Sequence, residues 1–220
     1  MDSVVIDDFD FSLIADFFKR VDRQGPGGER ETLLATSLIP AFDKPIHIAD
    51  MGCGKGSQTF VLADRYDAEI EAVDLLPEMM DGIREQSLRR GMESRVHPVQ
   101  ASMDALPFQR EMFDLIWAEG SIFIMGYEKG LRYWHRFLKP GGFVAVTDCT
   151  WFGKKRPDNM KWIEDNLPEI DTVEHKIGLM EEAGYEPFAH FFLPETCWTK
   201  NYYEPMRPVM AKFQKDHARD

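Results

Sequence analysis

Three glycines and an aspartate stand together in one short segment that has the composition of a ligand-binding turn. Residues 50–56 are Asp-Met-Gly-Cys-Gly-Lys-Gly, and they complete and follow a short apolar run, Ile46 to Met51. Glycine permits a tight turn and a close approach of a ligand to the backbone, and a helix that follows offers unpaired amide donors. A helical segment is predicted directly afterwards, from about Ser57 to Arg65. The pattern therefore predicts a nucleotide-like ligand at this turn.

The spacing of the glycines argues against the two common phosphate-binding loops. A P-loop requires Ser or Thr after its lysine, but Lys55 is followed by Gly56. A dinucleotide fingerprint requires a third glycine at the sixth position, which counted from Gly52 is Ser57, so an NAD oxidoreductase is disfavoured. Asp50 is also a poor neighbour for pyrophosphate. Its carboxylate better suits a cationic or hydroxyl-bearing ligand.

Two further carboxylates follow the next two predicted strands. Asp74 lies 24 residues beyond Asp50, close to the interval at which an acidic side chain reaches ribose hydroxyls. A carboxylate can accept both hydrogen bonds of a vicinal diol. After the third strand, Asp104 is placed to accept from the exocyclic amine of an adenine, with Met103 against the face of the base. These residues specify ribose and adenine, and they do not specify phosphate.

Five segments in a fixed order carry a resemblance to a known family, and they are Ile48 to Gly56, Asp74, Ser102 to Phe108, Phe113 to Gly120, and Leu138 to Gly142. Together they resemble class I S-adenosylmethionine-dependent methyltransferases over roughly Pro45 to Asp148. Within that class the chain looks like a small-molecule branch similar to the ubiquinone/menaquinone C-methyltransferases. The resemblance implies S-adenosylmethionine as the cofactor and methyl transfer to a small-molecule acceptor.

The resemblance also assigns site residues at the ends of the strands. By it the cofactor-binding residues are Asp50, Gly52 and Gly54 for the methionine part, Asp74 and Leu75 for the ribose, Ser102, Met103 and Asp104 for the adenine, and Glu119 at the junction of cofactor and acceptor. Glu119 is the first candidate for a general base, and His97 and Asp148 are weaker candidates. The other interpretation is that Glu119 only hydrogen-bonds the cofactor or shapes the pocket.

Aromatic residues outside the predicted central sheet are the candidates for the acceptor pocket. These substrate candidates are Phe123, Trp151, Trp198 and Tyr202. Aromatic side chains can wall an apolar or planar ligand, and their faces attract a sulfonium or another cation. The alternative is that some of them belong to the ordinary core. The loop from Arg23 to Gly28 has glycines that would let it close over the cofactor as a lid.

Strands and helices alternate along the chain, which is typical of a doubly wound, mostly parallel α/β sheet of the Rossmann-like kind. The predicted strands are 46–51, 70–73, 95–100, 113–118, 142–147 and 185–193, with helices at about 29–39, 57–65, 77–91, 128–138 and 206–213. An opening helix is predicted from Ile14, Phe17, Phe18 and Val21. In such folds ligands bind beyond the carboxyl ends of the strands, where the acidic residues lie.

The predicted organisation has three parts. Residues 1–44 form an N-terminal helical cap or lid, 45–199 the S-adenosylmethionine-binding α/β domain, and 200–220 a C-terminal helix. The methyltransferases that the chain resembles normally finish with a seventh, antiparallel strand, and none is predicted here. The chain is therefore expected to be short by roughly 30 to 40 residues, through truncation or an unusual end of the sheet.

Composition limits the partners. The 220 residues carry 26 basic and 38 acidic side chains, a net charge of −12 that disfavours a nucleic-acid surface. The basic run Lys154 to Arg156 is too short to change this and is interpreted as a solvated loop. No membrane-spanning apolar run and no leader sequence is found, so we expect a cytoplasmic monomer or homodimer that partners a small molecule.

The cysteines are Cys53, Cys149 and Cys197, widely spaced and without a C-x-x-C pair. They support neither a disulfide framework nor a zinc knuckle, and no metal is expected. Two alternative functions stay open. One is a thiol-ligating, arsenite-type methyltransferase that uses all three cysteines, and the other is a non-catalytic protein that binds S-adenosylmethionine.

Overall fold

The main sheet has five parallel strands in the order β3-β2-β1-β4-β5. The computed structural model describes residues 12–153, 158 and 160–218, so Lys154 to Arg156 lie outside the described residues. The strands are β1 (Ile46–Met51), β2 (Ala68–Asp74), β3 (Val96–Gln100), β4 (Phe113–Glu119) and β5 (Leu138–Thr147). These are the first five predicted strands, and the predicted parallel α/β fold class is confirmed.

Helices follow the strands in the predicted alternation. They are α1 (Ser12–Phe18), α2 (Glu29–Leu38), α3 (Thr59–Arg65), α4 (Pro77–Arg90), α5 (Tyr127–Trp134), α6 (Lys161–Asn166), α7 (Val173–Glu182), α8 (Glu195–Trp198) and α9 (Glu204–Asp216), with 3₁₀ turns at Ile122–Ile124 and His135–Phe137 and a π-helical segment at Thr199–Tyr203. α4 shows why the sequence signals worked. Pro77 occupies its first turn, and Gly91 ends it with a left-handed φ of 65°.

Apolar side chains are buried on both faces of the sheet. On one face Ile48 and Leu115 pack with Phe60 of α3 and Ile83 of α4. On the other face the core contains Trp134 of α5, together with Met51, Ile116 and Leu131. Strands that are buried on both faces read as continuous apolar runs, which is why β1 and β4 were recognisable in the sequence.

The sixth strand, predicted at Tyr185–Leu193, is wrong, because this segment lies in no regular element. Its aromatic rings make contacts without forming a strand: Phe188 lies 5.8 Å from the Phe143 ring of β5, and Phe192 lies 4.6 Å from the Phe152 ring. Pro187 has no backbone N–H to donate to a ladder. Across the described ranges the main sheet ends at β5. A small parallel pair of β6 (Thr150–Trp151) and β7 (Asp171–Thr172) was not predicted.

The two ends of the described chain pack together. The Phe17 ring of α1 lies 5.3 Å from the Phe213 ring of α9, and the Arg20 guanidinium lies 5.2 Å from the same ring. Arg20 also pairs with Asp216. The predicted division into a cap, a central domain and a C-terminal helix stays a prediction, and residues 1–11 lie outside the part described. No helix in that part has the length and apolar character needed to cross a membrane.

Candidate active site

The turn after β1 has the backbone conformation that its glycines allow. Gly52, Gly54 and Gly56 have φ values of 69°, 54° and 89°, in the left-handed region. A Cβ atom on Gly52 would lie 2.4 Å from the Cβ of Ser121, and one on Gly54 would lie 2.4 Å from the Gln24 Oε1. The left-handed backbone therefore favours glycine at all three positions, and at Gly52 the Ser121 side chain also takes the space of a Cβ.

Asp74 fastens the end of β2 to this turn. Its Oδ2 accepts from the Gly54 N–H at 2.9 Å, and its Oδ1 accepts from the Leu76 N–H at 3.0 Å. Burial raises the pKa of Asp74, although these backbone donors lower it. Each carboxylate oxygen keeps a further lone pair, as binding to a diol requires. Leu75, beside it, is 41% exposed.

Asp50 lies deeper than the sequence suggested. Its carboxylate is fully buried and accepts from the Thr59 hydroxyl at 2.5 Å and the Gln58 amide at 3.1 Å, both at the start of α3. Burial raises the pKa of Asp50 to about 7. Asp50 therefore fixes the turn to α3, and its contact with the methionine part of the cofactor stays a prediction.

The segment after β3 reaches the same edge. The Ser102 hydroxyl donates to Asp104 Oδ1 at 2.6 Å, and Lys129 lies 3.3 Å from Asp104 Oδ2, so the pKa of Asp104 is lowered. The Met103 carbonyl accepts from the Trp134 indole at 3.1 Å. The Met103 Sδ atom lies 3.6 Å from the position that a Cβ of Gly52 would take. The glycine turn and the predicted adenine residues are therefore neighbours.

Glu119, at the end of β4, is almost completely enclosed. Its Oε2 accepts from Arg23 Nη2 at 2.8 Å. Its Oε1 accepts from the Thr32 hydroxyl at 2.6 Å and the Trp117 indole at 3.0 Å. The Glu119 side chain is 8% exposed. Arg23 and Thr32 are site residues that the sequence interpretation did not assign, although Arg23 begins the Arg23–Gly28 loop that it proposed as a lid.

That loop, Arg23–Gly28, is here called the strap because it connects three parts of the site. Gln24 Oε1 accepts from the Lys55 N–H in the glycine turn at 3.1 Å. The Gly27 N–H donates to the Cys197 carbonyl at 3.4 Å, and Asn201 Nδ2 donates to the Gly27 carbonyl at 2.8 Å. The strap therefore joins the predicted cofactor turn to the aromatic segment after α8.

The predicted acceptor residues line one cleft of about 2220 Å³, namely Phe123, Trp151, Trp198 and Tyr202. Gln24 and Glu119 also line it, so the cleft reaches the cofactor side of the site. A Cβ on Gly120 would meet nothing within 4 Å, which leaves open space beside Glu119. The cleft exceeds a usual small-molecule pocket because it continues along the outer edge of β5.

Three aromatic rings form one wall of the cleft. The Trp198 ring lies 6.4 Å from that of Tyr202 and 6.0 Å from that of Tyr203, and the two tyrosine rings are 5.3 Å apart. The wall consists of the last residue of α8 and two residues of the π-helical segment Thr199–Tyr203. π-Helical turns are rare and are frequent at functional sites. Trp151, by contrast, is only 8% exposed and is mostly core.

An ion pair lies beyond the end of β5. Lys176 of α7 binds the Asp148 carboxylate, and its Nζ lies 4.3 Å from the centre of the Tyr127 ring. Burial raises the pKa of Asp148, while the Lys176 ammonium lowers it. Of the two weaker base candidates, Asp148 lines the cleft. His97 is the second residue of β3, so it lies away from the carboxyl edge and its candidacy is wrong.

The cysteines are separate free thiols. Burial raises the pKa of each of them, to about 11 for Cys197. In the part of the chain that was described, no group of three or more His, Cys, Asp or Glu residues could hold a metal ion. The described residues therefore provide no shared metal-binding site that would support the thiol-ligating alternative.

The family model described as "Methyltransferase domain" matches residues 48–142, from β1 to the middle of β5. That range contains the glycine turn, Asp74, the adenine candidates and Glu119. This match, over 95 of the 220 residues, supports the predicted resemblance to class I S-adenosylmethionine-dependent methyltransferases. The matched domain and the similar solved structures support the predicted enzyme class and the predicted cofactor, S-adenosylmethionine. The quinone C-methyltransferase branch remains a resemblance.

The similar proteins bear the names of different methyltransferases. The chain is 30% identical to methyltransferase GfsG of Streptomyces halstedii over 76% of this chain and 62% of that protein. It is 26% identical to phosphoethanolamine N-methyltransferase 3 of Arabidopsis thaliana over 63% of this chain but only 28% of the plant protein. A methyltransferase structure from Geobacter sulfurreducens with S-adenosyl-L-homocysteine has a TM-score of 0.78 at 14% identity, covering 94% of this chain and 84% of that one.

Proposed function

We propose that this methyltransferase transfers the methyl group of S-adenosylmethionine to a small-molecule acceptor bound in the aromatic cleft. The observation that carries the proposal is the position of Glu119 and Gly120. They lie at the end of β4, between the glycine turn on one side and the open cleft on the other. In a doubly wound sheet this crevice beyond the strand ends is where ligands bind.

The donor and acceptor groups of the turn fit S-adenosylmethionine, which supplies a methyl group on a positively charged sulfur. Asp74 and Leu75 would hold the ribose, since Asp74 keeps free lone pairs and Leu75 is exposed. Ser102, Met103 and Asp104 would hold the adenine. Gly52 and Gly54 would bring the backbone close to the methionine part, and Asp50 would hold the turn in place from behind through Thr59 and Gln58.

Methyl transfer is an in-line displacement, so the chain's main task is to align the acceptor with the cofactor and keep water out. Alignment of this kind supplies several of the roughly 7–11 kcal/mol available from proximity and orientation. Phe123, Trp198 and Tyr202 would provide the apolar wall against which the acceptor lies. The plant and Streptomyces relatives bear names of methyltransferases, which supports the reaction class and leaves the acceptor open.

Glu119 remains the candidate residue at the junction. As a general base it would take the acceptor's proton, which adds roughly 10²- to 10⁴-fold to the rate. Its three donors, one of them a guanidinium, instead favour the second interpretation, in which Glu119 shapes the pocket and holds the strap. We therefore propose a structural role at the junction first, and a role as base only if Arg23 is displaced.

The proposal includes the partners predicted from the sequence: a small-molecule acceptor, no nucleic acid, and a cytoplasmic monomer or homodimer. The net charge of −12 supports the absence of a nucleic-acid partner, because an excess of acidic side chains repels phosphate backbones. The alternative function is a non-catalytic protein that binds S-adenosylmethionine without turning it over.

The test is release of S-adenosylhomocysteine from S-adenosylmethionine with a panel of amines, phenols, alcohols and carboxylic acids, followed by mass spectrometry. We expect release that depends on one acceptor class and a product heavier by one methylene. Asp74→Ala is the matched inactive control, because it removes the ribose ligand. Cofactor binding by calorimetry without turnover of any acceptor would support the non-catalytic alternative.

A further inference from the structure

Both backbone polar groups of Lys55, in the glycine turn, are held by glutamine side chains from outside the turn. Gln24 Oε1, in the strap, accepts from the Lys55 N–H at 3.1 Å. Gln86 Nε2, on α4, donates to the Lys55 carbonyl at 2.5 Å. Lys55 stands between Gly54 and Gly56, both of which have left-handed φ values. The two contacts therefore fix the peptide units that connect the glycines.

The Gln24 amide is oriented by its own partners. Its Nε2 donates to the Val21 carbonyl at 2.9 Å and to the Phe18 carbonyl at 3.3 Å. Because both amide hydrogens point to the end of α1, the Oε1 atom must face the glycine turn. This oxygen also occupies the space that a Cβ of Gly54 would need. Gln24 thus contacts the turn as a fixed acceptor.

α4 packs closely against the same residue. A Cβ on Gly82 would lie 2.9 Å from Lys55 Cγ and 3.3 Å from Lys55 Cβ. One turn later, Gln86 reaches the Lys55 carbonyl. α4 begins three residues after Asp74, which itself accepts from the Gly54 N–H. The turn is therefore held by β2 and α4 on one side and by the strap on the other.

We propose that Gln24 and Gln86 are positioning residues for the cofactor and act through Lys55. Glycine-rich backbone loses much conformational freedom when it is ordered, so an unrestrained turn would bind its ligand weakly. The two glutamines restrain the turn before the ligand arrives. The inference rests on the cofactor part of the proposed function and is independent of the acceptor.

The test is calorimetric titration of the purified full chain with S-adenosylhomocysteine. Gln24→Met and Gln86→Met keep the length of the side chain and remove its polar atoms, and each is expected to raise the Kd about tenfold. Gln24→Glu keeps an acceptor but sets a second carboxylate oxygen against the Val21 and Phe18 carbonyls, so it is expected to bind no better than Gln24→Met. Gln109→Met, at an exposed glutamine in the loop after β3, is the matched control and should bind as the unmodified protein does.

Hydrogen exchange separates positioning from a general loss of structure. In Gln24→Met the amides of residues 52–57 should exchange faster without ligand, whereas those of β4 should not change. The proposal is overturned if both methionine variants bind within about twofold of the unmodified protein. It is overturned equally if the amides of residues 52–57 exchange at an unchanged rate in Gln24→Met.

No acceptor enters this measurement, so the outcome is separable from that of the proposed function. Normal binding of S-adenosylhomocysteine with the expected losses in both methionine variants, but no methyl transfer, would reject the enzyme and keep the positioning role. A chain that does not bind S-adenosylhomocysteine at all would reject both.

Discussion

At the scale of single residues, Glu119 stands out because its donors come from three parts of the chain. Arg23 belongs to the strap, Thr32 to α2 and Trp117 to β4. A charge-assisted bond such as that from Arg23 is shorter and stronger than a neutral one. Glu119 therefore holds the strap and α2 against the end of the sheet, at the place where the acceptor would meet the cofactor.

Glu119→Gln should slow turnover more than it weakens cofactor binding. The amide keeps one acceptor but loses the charge that binds Arg23, so the junction loosens, while Asp74 and Gln24 keep their own hydrogen bonds to the glycine turn. We expect a rate loss of roughly tenfold or more against a change in Kd within about threefold. Initial rates and calorimetry with S-adenosylhomocysteine measure the two effects. Thr32→Val, which removes only a neutral donor, is the control, and an unchanged rate in Glu119→Gln would remove Glu119 from the reaction.

Asp74→Ala should abolish tight binding of S-adenosylmethionine. The change removes the proposed ribose ligand and also leaves the Gly54 and Leu76 N–H groups without their acceptor. An unsatisfied buried donor costs about 1–3 kcal/mol. Asp74→Asn keeps the size and one oxygen and should bind with intermediate affinity. Calorimetry that gave the unmodified affinity for the alanine variant would contradict the ribose assignment.

Asp50 gives a prediction for the pH dependence of stability. Burial raises its pKa to about 7 in the folded protein, against 3.8 for an exposed aspartate. Between these values the folded state holds a proton that the unfolded state has released, so the contribution of Asp50 to stability falls as pH rises. The slope is at most about 1.4 kcal/mol per pH unit.

Asp50→Asn removes this titration and keeps the side-chain size. The stability of the unmodified protein minus that of Asp50→Asn should therefore fall from pH 5 to pH 7 and level off above. Urea unfolding at several pH values measures the difference. A difference that does not vary with pH, or one that rises, would show that Asp50 is ionised throughout.

At the scale of the elements, prediction succeeded for strands whose burial can be recognised in their own sequence. It failed where contacts with distant segments determine the structure. β1 is buried on both faces and reads as an apolar run, so Ile46–Met51 was predicted with its correct ends. The parallel strand order was enough to predict which residues lie at the carboxyl ends of β1, β2 and β4. Tyr185–Leu193 has a similar apolar content, but its rings pack on Phe143 and Phe152 without ladder bonds.

The site partners that come from outside the sheet were beyond a sequence interpretation. Arg23, Thr32 and Lys176 carry no local signal for their contacts, because each meets a residue at least 28 positions away. Spacing can place an acidic residue at a strand end. It cannot say which cation from a helix or loop will neutralise it.

Lys176 connects α7 to the end of β5, and this gives a prediction for stability. Lys176→Met should destabilise the protein by roughly 3–5 kcal/mol, because Asp148 would be left buried without its counter-ion. The double variant Lys176→Met/Asp148→Asn should recover part of the loss. Urea unfolding of the unmodified protein, both single variants and the double variant gives the coupling free energy between the two residues. A loss in the double variant equal to the sum of the single losses would show that the pair is not coupled.

At the scale of the whole molecule, the two ends of the described chain meet over the site. α1 packs on α9 through Phe17 and Phe213, and the strap that follows α1 is bound by Cys197 and Asn201 ahead of α9. The same strap contacts Lys55 and Glu119. The N-terminal and C-terminal segments therefore form one layer, which contacts the cofactor turn through Gln24 and carries the aromatic wall.

Phe213→Ala tests whether that layer acts as a unit. It removes the ring that contacts Phe17 and Arg20, so α1 should loosen and the strap with it. We expect faster hydrogen exchange at residues 23–28 and a Kd for S-adenosylhomocysteine raised by roughly three- to tenfold, although no altered atom belongs to the cofactor turn. Lys212→Ala, at an exposed position on the same helix, should change neither. Faster exchange confined to α9, with unchanged exchange in the strap and unchanged affinity, would mean that the ends of the chain pack together without any effect on the site.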